Sequence, residues 1–329
     1  MLALILVFIL SACGSANNAS SPPASQSSPA ASQATAPASL QSPEAAEPSE
    51  AADRAVTDAM GHEVTIPADP QRIIASYLED HLVTLGVTPV AQWSVTNGIQ
   101  DYLQPAGLEG VPTIDYNLPP EAVASFSPDL ILIGSETSVQ NGLYEQYAKI
   151  APTYVLGDQV INDWRSTLLK IGELLGKSDD AKQAIADYDA KAADTKAKLQ
   201  SVIGDKPVAI VWLVQKQFFV VNKEVSSGAV LFGDLGLKQS NLTSSLPDAT
   251  ANWNPITLEK LAELDADYLL LVNSDGEGAE VLKDPIWKNI PAIKAGQVYE
   301  FSRSSSWLYN GAAAGERMMD DLLQALNIG

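Results

Sequence analysis

The sequence has a single cysteine, Cys13, and only two histidines, His62 and His81. One cysteine allows no internal disulfide and leaves no thiolate in the folded body to hold a metal cluster. A zinc site normally draws several histidine or cysteine ligands to one point, so two separated histidines are a poor basis for one. We therefore expect no metal site, with His62 in a hairpin turn and His81 in the first helix of the body.

The sequence also lacks the short motifs of common enzymes and is poor in basic residues. It contains no G-x-S-x-G, P-loop or H-E-x-x-H pattern and no Cys–His pair. We therefore expect no enzymatic activity, no catalytic residue and no resident cofactor. The 20 Lys and Arg residues stand against 40 Asp and Glu, which gives a net charge of −20. A surface of that charge repels nucleic acid, so this class of partner is excluded.

The apolar run at residues 1–10 is much shorter than the ~20 residues that a membrane-spanning helix needs. Its length fits the apolar core of a signal peptide. The run ends in Leu-Ser-Ala-Cys13-Gly, which resembles the bacterial lipobox. In that motif the cysteine carries a diacylglyceryl group and becomes the first mature residue. The resemblance predicts a signal peptide at 1–12, a lipid on Cys13 and a position on the outer face of the cytoplasmic membrane, extracellular or periplasmic.

Residues 13–52 are rich in Ala, Ser, Pro and Gln and have almost no large apolar side chains. Such a composition cannot bury enough apolar area to offset the entropy lost on ordering. We predict a lipidated, disordered tether, whose ~40 residues would span roughly 35 Å end to end as a flexible coil. The lipid would be the only contact with the membrane, and the type of cell envelope is left open.

Short apolar runs alternate with helical stretches from about residue 55 to the end, which predicts an α/β fold. The alternation is interrupted at 162–203, where an Ala-rich stretch at 179–200 has no Gly or Pro and carries mixed charges at helical spacing. We therefore predict two lobes, each with a mostly parallel sheet flanked by helices, joined by one long rigid helix. The predicted bounds are 53–161 for the N-terminal lobe, 162–203 for the helical connection and 204–329 for the C-terminal lobe.

The two predicted lobes contain matching segments. In the first, Glu121 opens a short helix and Asp129 follows eight residues later, directly before the apolar run LILI. In the second, Glu259 and Asp267 have the same spacing and precede YLLLV. Two matching segments about 140 residues apart indicate two related lobes.

Four further stretches add to the repeat: VTDAMGHEV at 56–64, LGVTPV at 85–90, KIAPT at 149–153 and PIWKNI at 285–290. In order and spacing, the chain resembles ABC-transporter substrate-binding lipoproteins of the iron-siderophore and cobalamin class over roughly residues 55–329. The resemblance implies a ligand in the cleft between two lobes, a small hinge motion and delivery to an ABC importer permease. It also implies that Glu121 and Glu259 each dock one lobe onto arginines of the permease, in a monomeric carrier.

A ferric siderophore is the expected ligand, and it is cargo rather than a cofactor. Its iron is already saturated by the chelator, so we expect the protein to grip the organic shell with aromatic faces, hydroxyls and a few cations. Candidates that follow strand ends near the expected cleft are Tyr77, Trp93, Tyr116, Arg303, Trp307 and Tyr309. For each aromatic residue taken alone, packing in the core is nearly as good an explanation.

Other functions stay open at this stage. A cobalamin or haem receptor of the same fold is the main alternative. A cofactor-assembly enzyme of similar two-lobed architecture is more remote, because it would need cysteine ligands beyond Cys13. A surface adhesin that shares only the tether would have no need of a matching glutamate on each lobe.

Overall fold

The computed structural model describes residues 52–96, 98–246 and 253–328. The chain from Glu50 to Gly329 forms one compact unit. The predicted signal peptide, Cys13 and all of the predicted tether except Ala52 lie outside the described residues. Within the described part of the chain, no helix combines the length and apolar character needed to cross a bilayer.

The body begins with the predicted hairpin, in which β1 (Arg54–Thr57) and β2 (Glu63–Ile66) pair antiparallel. Asp58 closes the turn, because its Oδ1 accepts hydrogen bonds from the N–H groups of Met60 and His62. His62 lies in this turn as expected, and its Nδ1 is 3.0 Å from Asp58 Oδ2.

Parallel strands form the N-terminal lobe. One sheet has the order β3-β6-β7, a second pairs β4 with β5, and a bridge between Ile74 and Ala91 links the two. The strands are β3 (Ile73–Ile74), β4 (Gln92–Ser94), β5 (Thr113–Asp115), β6 (Leu130–Ile133) and β7 (Thr153–Val155). The helices are α1 (Glu79–Thr84), α2 (Pro120–Ser125), α3 (Leu143–Tyr147), α4 (Asp158–Ile161) and α5 (Trp164–Leu174), with 3₁₀ turns at Asp101–Ala106 and Glu136–Val139.

The predicted long helix is α6 (Ser178–Val202), whose 25 residues correspond to a length of about 37 Å at 1.5 Å per residue. Ala181, near its start, packs in the same core as α1 and α5 of the N-terminal lobe. Tyr188 and Leu199 pack in a different core, with residues of the C-terminal sheet. One helix therefore contributes to the cores of both lobes.

A single five-stranded sheet forms the C-terminal lobe, in the order β10-β9-β8-β11-β12. Its strands are β8 (Val208–Val214), β9 (Gln217–Val221), β10 (Trp253–Ile256), β11 (Tyr268–Asn273) and β12 (Val298–Ser302). The pairs β8–β11 and β11–β12 are parallel, whereas β9 is antiparallel to both of its neighbours. Its helices are α7 (Ser226–Gly228), α8 (Asn241–Ser244), α9 (Leu258–Leu261), α10 (Pro285–Lys288), α11 (Pro291–Lys294) and α12 (Ala312–Ala325), with a π-helical turn at Ala229–Asp234 and a 3₁₀ turn at Glu280–Lys283.

The C-terminal helix α12 joins the lobes a second time. Two backbone N–H groups of its first turn, on Ala313 and Ala314, donate to the carboxylate of Asp80 in α1 at 3.2 and 2.9 Å. The hydroxyl of Tyr102 donates to the same carboxylate at 2.9 Å. Asp80 therefore caps a helix of the other lobe from a buried position in the N-terminal lobe, with Gly311 packed directly against it.

The internal repeat has a structural counterpart. The N–H of Asp129 donates to the carbonyl of Arg72, just before β3, and the N–H of Asp267 donates to the carbonyl of Pro207, just before β8. The strand that follows each aspartate then pairs in parallel with the first strand of its own lobe's sheet, β6 with β3 and β11 with β8. The predicted α/β fold of two sheet-containing lobes joined by a long helix is confirmed.

Candidate functional site

A cavity of about 730 Å³, here called the larger cavity, lies between residues of the two lobes. Its N-terminal side includes Tyr77 after β3, Ser135 after β6 and Asn162 at the end of α4, the short helix that follows β7. Loops converge there because the carboxyl ends of parallel strands meet at one edge of a sheet. The segment at 223–225 after β9 and the π-helical turn with Asp234 form the opposite side. The volume lies within the roughly 300–1,000 Å³ of ordinary small-molecule sites.

The guanidinium of Arg165, on the wall of the larger cavity, is paired with neighbouring carboxylates. Arg165 Nη2 lies 2.6 Å from Asp189 Oδ1 and 3.2 Å from Asp234 Oδ1. The guanidinium also lies over the ring of Trp164, 4.4 Å from its centroid. Tyr188 donates its hydroxyl to the other oxygen of Asp234 at 2.7 Å. The network holds Arg165 in place and leaves it little capacity to attract an anion.

Two buried polar side chains, His81 and Gln100, line the larger cavity with atoms that lack a partner. Their exposed fractions are 6% and 4%. Within the described residues, neither His81 Nδ1 nor Gln100 Oε1 has a hydrogen-bond partner. Burial lowers the pKa of His81 to about 4, so the ring is neutral at pH 7 and has one donor and one acceptor nitrogen. Neither residue was a ligand candidate from the sequence, although His81 lies in the first helix as predicted.

An aromatic cluster of Tyr77, Trp93, Tyr102 and Tyr309 stands beside the larger cavity and crosses between the lobes. The ring of Tyr77 is 5.1 Å from that of Trp93 and 6.2 Å from that of Tyr309, which is itself 5.1 Å from Tyr102. Tyr77 has a backbone φ of 63°, in the left-handed region that a bulky residue rarely adopts. Such strain costs on the order of 1–3 kcal/mol and is concentrated at functional sites.

A second, more open cavity of about 510 Å³ lies near the ends of β4 and β5. Arg303 and Ser304 of the C-terminal lobe line it together with Ser94, Thr96 and Asp101 of the N-terminal lobe. Arg303 approaches the backbone of the N-terminal lobe closely, because a Cβ on Gly98 would lie 2.9 Å from its Nη2. Two cavities therefore lie in the cleft. Of the predicted contacts, Tyr77 lines the larger cavity and Arg303 lines the second one.

The structure brings only some of the predicted ligand contacts together. Tyr77, Trp93 and Tyr309 are joined in the aromatic cluster, and Arg303 lines the second cavity. Tyr116 is exposed after β5, but it is not among the residues that line either cavity.

Trp307 requires a correction, because its exposed fraction is 0%. Its ring stacks on Phe301 with centroids 3.9 Å apart, and its Nε1 donates to Asp321 Oδ2 at 3.0 Å. The indole therefore packs in the core and satisfies its single donor there, so it does not line the cleft. Its place in the sequence among polar loop residues suggested the opposite.

Replacing Trp307 with Ala is expected to lower the free energy of unfolding by roughly 3–5 kcal/mol, because a fully buried indole is lost. Arg303→Ala is expected to leave the body folded and to weaken ligand binding by about tenfold or more, about 1.4 kcal/mol. Urea unfolding and a binding titration on both variants check this. A fully stable Trp307→Ala protein with impaired binding would contradict the core assignment.

The two predicted docking residues are exposed and do not belong to either cavity lining. Glu121 lies in the first turn of α2, and Glu259 lies in the first turn of α9. Neither is among the residues that line the two cavities. A carboxylate in the first turn also favours the helix itself by ~0.3–1 kcal/mol, so exposure alone does not assign a role to either residue.

The comparison with known proteins decides the family. Residues 76–303 match the family model described as periplasmic binding protein. The match spans most of the chain and includes residues of both lobes and the cleft. The chain belongs to this family.

Two proteins that are similar to this chain have names that refer to the binding of iron(3+) complexes. The chain is 28% identical over 304 residues to the iron(3+)-hydroxamate-binding protein FhuD of Bacillus subtilis, covering 91% of this chain and 87% of that protein. It is 26% identical over 293 residues to the Fe(3+)-citrate-binding protein YfmC of the same species, covering 84% and 87%.

A solved structure supports the fold at similar coverage. It is a FhuD fold-family periplasmic binding protein component of a Fep/Fec-like ferrichrome ABC transporter from Bacillus subtilis. The sequences are 25% identical, the match covers 82% of this chain and 99% of that chain, and the TM-score is 0.69.

Proposed function

We propose that this protein captures a ferric siderophore in the cleft between its lobes and delivers it to an ABC importer. The larger cavity supports this most directly, because both lobes line it and its volume suits one small ligand. Its lining mixes aromatic faces, such as Tyr77 and Trp164, with hydroxyls, such as Ser135 and Ser138. Such groups suit the organic shell of a chelate whose iron is already saturated.

The family assignment supports a binding protein, and we extend it to a carrier without enzymatic activity or resident cofactor. The names of the relatives given above refer to hydroxamate, citrate and ferrichrome systems, all of which handle chelated iron. The cobalamin and haem alternatives have no corresponding support among them. We further propose that the carrier is a monomer held at the outer face of the cytoplasmic membrane, with the permease and the ferric siderophore as its partners.

The direct test is a fluorescence titration of the purified chain with ferric siderophores, cobalamin and haem. The six tryptophans provide the signal, because an iron chelate bound near Trp164 or Trp93 should quench them. We expect saturable quenching by at least one ferric siderophore and none by the iron-free chelator at equal concentration. Tighter binding of cobalamin or haem than of every siderophore would overturn the proposal.

Anchoring through Cys13 leads to a separate prediction. Cys13→Ser should release the protein from membranes or leave an uncleaved precursor, because serine has no thiol to carry the lipid. Two acyl chains are expected to hold the wild-type protein stably, at ~0.8 kcal/mol per buried methylene. Membrane fractionation with labelled fatty acid checks this, with Ser11→Ala as a control that keeps the cysteine. A variant that is still processed and lipidated would contradict the lipobox interpretation.

A further inference from the structure

Acidic side chains outnumber basic side chains on the lining of the larger cavity. Asp163, Glu224 and Asp234 line it against Arg165 and Lys223. Asp189 and Asp234 occupy the guanidinium of Arg165, and Lys223 lies 3.7 Å from Glu224. Each of these two cations therefore already has an acidic neighbour, which weakens the attraction of the cavity lining for an anionic ligand.

Asp163 adds a third carboxylate to the lining, exposed to solvent and close enough to Arg165 to feel its charge. Its Oδ2 accepts hydrogen bonds from the N–H and the hydroxyl of Ser166, at 2.9 and 2.6 Å, and so caps α5. Within the described residues, no ion pair to Asp163 is found. Burial raises the pKa of Asp163, but the hydrogen bonds from Ser166, together with the backbone N–H and the positive charge of Arg165, outweigh it, so the net pKa shift is downward and the group is ionised at neutral pH.

Two further observations, independent of the acidic side chains, also concern the ligand. Gln100 Oε1 is a buried acceptor on the cavity lining, and within the described part of the chain it has no donor. His81 Nδ1 is in the same position, and its ring is held neutral. Buried polar atoms are nearly always paired in folded proteins, so a bound ligand can supply the missing partners: a donor for Gln100 Oε1, and a donor or an acceptor for His81 Nδ1 according to its tautomer.

We infer that the larger cavity selects a neutral or cationic ferric chelate that presents hydrogen-bond donors, and that it discriminates against anionic ferric chelates. The inference rests on the proposed function and narrows the ligand to ferric chelates without a net negative charge. The chain's net charge of −20 acts in the same direction, since it lowers the local concentration of anions at the surface.

A ligand series that changes only charge tests this. Ferrioxamine B carries an ammonium group away from its three hydroxamates. Its N-acetyl derivative is neutral, and its N-succinyl derivative carries a carboxylate. Titrated against the purified full chain, the first two should bind with similar affinity. The succinyl form should bind at least ~tenfold more weakly, a difference of about 1.4 kcal/mol.

Variants separate the two parts of the inference. Asp163→Asn keeps a good helix cap while removing its charge, and Glu224→Gln removes a second charge. Together they should bring the affinities for the ammonium and succinyl forms to within about threefold of each other. Glu145→Gln is the control, because this exposed glutamate lines neither cavity, and it should leave the ratio unchanged. Gln100→Met should weaken all three chelates without changing their ratio, because it removes an acceptor and no charge.

The outcomes are distinct. Equal or tighter binding of the succinyl form overturns the charge selectivity while leaving the proposed function intact. Ferric citrate and ferric enterobactin are both anionic. If either binds more tightly than every member of the ferrioxamine series, the charge selectivity is likewise overturned and the proposed function stands. If no ferric chelate of any charge binds, the proposed function fails and the selectivity fails with it. Should Gln100→Met not fold, the ligand series on the unaltered chain still decides.

Discussion

Replacing Asp80 with Ala is expected to lower the free energy of unfolding by about 3 kcal/mol or more at pH 7.5. The carboxylate accepts from the N–H groups of Ala313 and Ala314 and from the hydroxyl of Tyr102, all in a buried environment. Each buried donor left without a partner costs roughly 1–3 kcal/mol. Burial raises the pKa of Asp80 to about 6, so most of the group is ionised at pH 7.5 and also complements the amino end of α12.

Gly311 offers a second way to disturb the same contact. It has φ of 137°, and a Cβ at this position would overlap the Asp80 carboxylate, so Gly311→Ala should also be strongly destabilising. Gly278→Ala is the control for adding a methyl group alone, because a Cβ there meets nothing within 4 Å, and it should change stability little. Urea unfolding followed by circular dichroism measures all three variants. If Asp80→Ala and Gly311→Ala are as stable as Gly278→Ala, the contact does not hold the lobes together.

Changing both Glu121 and Glu259 to Ala is expected to abolish siderophore uptake in cells while leaving ligand affinity near that of the wild type. We propose that each carboxylate pairs with permease arginines, and a carboxylate–guanidinium fork provides both energy and geometry. Neither residue lines either of the two cavities described in the cleft, so binding should be untouched. The single variants should lose uptake only in part, since the other lobe still docks.

Charge reversal distinguishes docking from a helix effect. Glu121→Arg with Glu259→Arg should reduce uptake more than the Ala pair, because like charges repel as well as fail to pair. A control pair, Glu145→Ala with Glu277→Ala, removes two exposed carboxylates, one from each lobe, and should transport normally. Uptake and binding must be measured on the same variants. Normal uptake by the Glu121/Glu259 double variant, or an equal loss of binding and uptake, would contradict the docking role.

Much of the fold could be predicted because its signals are local. The turn closed by Asp58, the buried run at 130–133 and the helix at 178–202 each depend on the order of nearby residues, and the repeat of Glu and Asp at fixed spacing revealed two related lobes. Element bounds were less predictable. Within the helical connection predicted at 162–203, α5 begins only at Trp164, after its cap Asp163, and α6 begins only at Ser178.

The site was harder to predict, because a side chain's surroundings depend on contacts distant in sequence. Trp307 and Tyr309 are two residues apart in one loop, yet Trp307 is enclosed by Phe301 and Asp321, whereas Tyr309 reaches across the cleft to Tyr77. His81, which the sequence presents as an ordinary helical residue, lines the larger cavity.

The sequence by itself determined the α/β alternation, the two related lobes, the long helix between them and the acidic surface, because periodicity, repetition and charge are properties of the chain order. Only the tertiary structure decided which residues line the cleft, which cations are already paired and which polar atoms lack a partner. Those features depend on how α1, α12 and the loops after the strands come together. Contacts between residues distant in sequence, rather than any local pattern, set the burial of His81, Gln100 and Trp307.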